Sequence, residues 1–105
     1  MAMFNDIVGY EPDCVMRYHR LFDRHVTSRR INRRIVDSGV PNRPDWLSRR
    51  VFYTLPGEDW RVDAMLQLIE HYGNWQDEHE RRFGSLLGYE DWQNDIWLER
   101  HPVGD

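Results

Sequence analysis

The chain has 105 residues, enough for one compact domain and too few for two ordinary ones. Apolar residues make up 40% and charged residues 30%, and five Trp, five Tyr and four Phe are more than a disordered chain carries, so the sequence should fold. The single cysteine, Cys14, excludes an internal disulfide and a Cys-rich zinc site; with no signal-like start and no apolar run of membrane-spanning length, the expectation is a soluble cytoplasmic protein with no membrane partner.

All 14 basic residues are Arg, which a GC-rich genome explains most simply, although Arg also suits bidentate contacts with carboxylate or phosphate. Net charge is −4 but unevenly placed: residues 1–57 hold ten Arg against six acids, residues 58–105 four against twelve. Such a dipole can orient a partner or be satisfied internally.

In chain order, residues 1–12 read as an arm punctuated by Gly9 and Pro12, with Asp13 a helix N-cap. Val15, Tyr18, Phe22 and Val26 recur at spacings of three and four, with Arg17, Arg20 and Arg24 opposite, which predicts an amphipathic helix. Ile31 and Ile35 would fall on the arginine face of that helix, so a break is expected at Thr27-Ser28, followed by a second helix to about Ser38 that stops at Gly39. Val40 to Pro44 reads as a turn, and Asp45 as the cap of a short element to about Tyr53. Val51 to Leu55 has strand propensity, but with no evident partner strand the expectation is helix.

Residues 58–72 give the strongest helical pattern and the expected central helix. Gly73 ends it, and Asn74 caps a helix over about 75–87 with Trp75, His79 and Phe83 on one side. A last helix starts near Asp91 and carries Trp92, Ile96, Trp97 and Leu98, leaving a tail over 103–105. Asp-Trp pairs at 45–46, 59–60 and 91–92 suggest one capping solution used three times. The expected fold is therefore all-α: one helical domain, a small irregular bundle of about five short helices.

Catalytic signatures are missing from the pattern. No His has a Glu three residues before it, Cys14 and His19 do not share a helical face, and no glycine-rich loop suits a phosphate, so neither catalytic residues nor a cofactor is expected. His71 and His79, with Glu70, Asp77, Glu78 and Glu80 nearby, are the one candidate metal pair. His79, between Trp75 and Phe83, reads more simply as a histidine packed on aromatics with one ring nitrogen hydrogen-bonded.

Two surfaces remain. Arg29, Arg30, Arg33 and Arg34, followed by Arg49 and Arg50, would form a basic ridge suited to phosphate contacts. The aromatic excess favours protein association instead, with Trp92 and Trp97 on the last helix as its anchors, unless the N-terminal arm covers them. The leading expectation is a non-enzymatic bacterial or phage interaction module, an accessory subunit, regulator or inhibitor that binds a protein partner or itself. A nucleic-acid binder is the alternative, and a metal-dependent enzyme a weaker one.

Overall fold

A computed structural model of the chain describes residues 1–70 and 75–101. The elements run β1 (Ala2–Ile7), α1 (Asp13–Thr27), β2 (Asn32–Val40), β3 (Arg43–Thr54), α2 (Trp60–Ile69), α3 (Asp77–Leu87) and α4 (Asp91–Arg100). They fall into two compact units, Ala2–Asp59 and a second formed by Met1 with residue 60 onward.

The first unit overturns the all-α expectation. It holds a three-stranded sheet of order β1-β3-β2, in which β3 pairs antiparallel with both neighbours. β1 and β2 therefore point the same way, joined through α1, with β3 inserted between them as a split β-α-β arrangement. The predicted arm is in large part strand β1, and the predicted second helix is strand β2. Ile31 and Ile35 fit a helical spacing of four, yet Ile31, Ile35, Val36 and Val40 are β-branched and favour an extended chain when a partner strand is present.

That partner is the segment whose strand propensity was set aside for want of one. Val40 and Arg43 close a two-residue hairpin connection at Pro41-Asn42, in which Pro supplies the fixed first corner and Asn42 takes a positive φ of 62°. The turn expected over Val40–Pro44 is thus a hairpin turn, and Asp45-Trp46 lies inside β3 instead of opening a helix.

Directly paired residues share a sheet face. Phe4, Asp6, Arg33, Ile35, Asp37, Arg49, Val51 and Tyr53 consequently lie on one face, and Met3, Arg34, Val36, Arg50, Phe52 and Thr54 on the other. α1 packs on the first: Phe22 meets Tyr53 at 4.6 Å between ring centroids, and Phe4 meets His19 at 5.1 Å. The stripe predicted for this helix is the one that packs. Its N-cap is Pro12, and Asp13 is its first residue.

In the second unit, Val62, Met65 and Leu68 of α2 and Leu86 of α3 are buried. The three expected helices are observed with narrower bounds, α2 starting at Trp60 and described to Ile69 and α3 starting at Asp77; the predicted Gly73 stop and Asn74 cap lie outside the described residues, as does the 103–105 tail. α3 opens on Gln76, whose backbone N–H donates to His79 Nδ1 at 2.9 Å, and ends at Gly88 in the left-handed conformation with φ 102°. α4 opens on Glu90, whose N–H donates to Gln93 Oε1 at 2.8 Å. Among the described residues no helix is long and apolar enough to cross a membrane.

Candidate functional site

α4 is a helix turned inside out. Its only buried residue is Asn94, while Trp92, Ile96 and Trp97 are 58%, 43% and 49% exposed, and Tyr89 just before it is 55% exposed. The reason lies in α3. A Cβ at Gly84 would run into the Asn94 side-chain oxygen, so glycine is what lets α4 approach with its polar side inward. Asn94 Nδ2 then donates to Ser85 Oγ at 3.2 Å, which satisfies the buried amide. Once Asn94 faces α3, the helical period turns Trp92 and Ile96 outward, while Trp97, three residues on, stays at the rim of the α3 contact, where it bonds Glu80.

The indole N–H groups are held by carboxylates. Trp97 Nε1 donates to Glu80 Oε1 at 3.0 Å, Trp75 Nε1 to Glu80 Oε2 at 2.6 Å, and Trp92 Nε1 to Glu90 Oε2 at 2.6 Å. Trp97 also stacks on His101, with ring centroids 3.8 Å apart. These contacts fix the rings and leave their apolar area open, which lowers the entropy lost when a partner covers them. Between α3 and α4, Phe83, Gly84, Leu87, Tyr89, Asn94 and Trp97 line a cleft of about 180 Å³. A second hollow of about 270 Å³ continues along Tyr89, Gln93, Ile96 and Arg100. Its surroundings are acidic, since the unit holds ten acids against four arginines.

No protein-family model matches the chain, and neither a curated protein nor a solved structure shows significant similarity to it.

The expected arginine ridge is dispersed. Neighbours on a strand point to opposite faces, so Arg33 and Arg49 lie on the α1 side of the sheet and Arg34 and Arg50 on the other. Arg33 pairs with Asp23, and Arg49 grips Asp37 bidentately at 2.8 and 2.9 Å. Arg34 lies 3.8 Å from Asp59. Arg29 and Arg30 sit in the turn after α1, Arg29 with φ 61°. There is no Arg-rich helix at 28–38.

The histidine pair cannot be placed together, because His71 lies outside the described residues; no group of three metal-ligating side chains occurs among the described ones. His79 packs on Trp75 at 5.4 Å between ring centroids.

One polar constellation has no signal in the sequence. His19 Nδ1 and Tyr53 Oη share a hydrogen bond of 2.7 Å in a groove of about 190 Å³ between α1 and the sheet, also lined by Glu11, Asp23, Arg33 and Arg49. Burial, then the Asp23 charge, pushes the Tyr53 phenol above its ordinary range. Asp37 is held below the usual carboxylate range chiefly by its hydrogen bond from Arg49, whose own value is raised in return. With both groove arginines already next to carboxylates, this constellation is built as a satisfied network and not as an anion trap. Only the β-α-β topology brings residues 34 positions apart into contact, so helical spacing held no trace of it.

Proposed function

We propose that the protein is a non-enzymatic interaction module of the cytoplasm, acting as an accessory subunit, regulator or inhibitor of a larger protein. The exposed face of α4 docks the partner. The observation that carries this reading is that Trp92, Ile96 and Trp97 are all at least 43% exposed on a helix whose one buried side chain is an asparagine. Exposed tryptophans with pinned indoles have the composition of interface hot spots. The unit's charge of −6, ten acids against four arginines, selects a partner that surrounds an apolar contact with basic side chains. The same charge disfavours pairing two copies through this face. Cys14, exposed and without a second cysteine, suits a compartment that keeps thiols reduced.

The test begins with a photo-crosslinking residue at Ile96, identification of the adduct, and titration of the purified pair. Trp92→Ala and Trp97→Ala should each weaken that complex by about 30-fold, the scale of a hot-spot truncation, whereas Arg49→Gln should not. Full affinity in the Trp92→Ala, Trp97→Ala double variant would sink the reading. A dimer by light scattering that those substitutions dissolve would replace the outside partner with a second copy.

A further inference from the structure

Nine of the fourteen arginines fall into two groups, one paired and one concentrated on and just after α1. Arg33, Arg34, Arg49 and Arg81 each lie within ion-pair range of a carboxylate. Arg17, Arg20 and Arg24 on α1, and Arg29 and Arg30 just after it, are exposed, and none has an ion-pair partner among the described residues. At 100° per residue the three helical arginines occupy an arc of about 60°, opposite the Phe22 side that packs on the sheet. They span about 10 Å along the axis. The one acid on that arc is Asp13, in the helix's first turn, where the helix dipole favours a negative charge.

This arrangement works against the isolated helix. Arg17–Arg20 and Arg20–Arg24 are like charges three and four residues apart, each pair destabilising by a few tenths of a kcal/mol, and Arg17 sits near the positive end of the helix dipole. The chain has 18 acids, yet none lies within ion-pair range of the stripe among the described residues. An external polyanion relieves both penalties. The stripe has no aromatic side chain within its arc, so it lacks the stacking platform that single-stranded binders use. α1 is a helix of 15 residues with its outer face exposed, and the wide major groove of B-DNA admits a helix where the narrow one of an RNA duplex does not.

We propose that the outer face of α1, through Arg17, Arg20 and Arg24 and extended by Arg29 and Arg30, binds the phosphate backbone of duplex DNA without reading sequence. Three to five phosphates are contacted. The stripe uses no residue of α4 and does not depend on the partner assigned to that helix.

The experiment is fluorescence anisotropy of a labelled DNA duplex with the full chain across a salt series. Neutralising three to five phosphates gives a slope of log K on log salt of about −3 to −4.5, a loss of about two orders of magnitude in affinity between about 50 and about 200 mM salt. Arg17→Glu, Arg20→Glu and Arg24→Glu together should abolish binding at low salt while the far-ultraviolet circular dichroism stays unchanged, since none of the three packs on the sheet. The corresponding triple Lys variant should keep a comparable slope. Arg49→Gln and the Trp92→Ala, Trp97→Ala pair should bind as the parent does. Undiminished binding by the triple Glu variant, no binding at low salt, equal binding of an RNA duplex, or equal competition by polyglutamate would each overturn the proposal, the last in favour of an acidic protein.

Discussion

Gly84 and Asn94 decide where the aromatic residues of α4 go. A methyl at 84 has nowhere to fit, because the Asn94 amide is buried and bonded to Ser85. Gly84→Ala should lower stability by about 1–3 kcal/mol, as over-packing does, and should shift the tryptophan emission as α4 moves; an unchanged melting temperature and spectrum would contradict this account. Tyr53 offers a second check. Its folded-state pKa is raised, so its contribution to stability is fully present below the ordinary phenol pKa and is lost as pH rises through the folded value. Alkaline unfolding followed by phenolate absorbance should therefore be less steep in Tyr53→Phe than in the parent. Neither residue announces itself in the sequence: Gly84 sits mid-helix, where composition alone reads as a weak spot, and Asn94 is one of three consecutive polar residues, Gln93 to Asp95. The exposure of Trp92 and Trp97 was legible, because four large apolar residues around one helix cannot share a core.

At the level of elements, α1 and the three C-terminal helices were legible from periodicity, and the end of α3 from Gly88. β2 was not. Each of its faces carries an arginine and other polar residues beside its aliphatic ones, so the period of two is masked and the Ile31–Ile35 spacing imitates a helix. The hairpin turn that would have corrected this is Pro-Asn, outside the commoner Asn-Gly signature. Two predictions belong here. Asn42→Val should cost about 1–2 kcal/mol, because a β-branched residue resists the left-handed conformation, while Asn42→Gly should stay within a few tenths; equal melting temperatures for the two would show that the turn has another geometry. Across the hairpin, Asp37 has a lowered pKa, so the support it gives is present above the ordinary carboxylate range and fades as pH falls through the folded value. Asp37→Asn should destabilise at neutral pH, less so in high salt, and not at all in acid, as urea titrations at several pH values would reveal.

For the molecule as a whole, the sequence foretold an uneven charge distribution, and the two units sharpen it: Ala2–Asp59 carries ten arginines against eight acids, and the remainder four against ten. Fold class could not follow from that, since charge is a property of surface and not of backbone pairing. A basic partner meeting the acidic unit should associate more slowly as salt rises, with little change in dissociation, which stopped-flow mixing would measure. The strand order also has a bearing on how the chain is made. β1 and β2 share no hydrogen bonds and meet only through β3, the last of the three to be synthesised. A nascent chain that has emerged only as far as residue 40 has two strands and nothing to pair them with, so the sheet forms in one late event. That event requires both the two-residue β2–β3 hairpin and the pairing of β1 with the other edge of β3. Ribosome-stalled chains ending before Arg43 should expose β1 and β2 to chaperones, and chains that have released Thr54 should not.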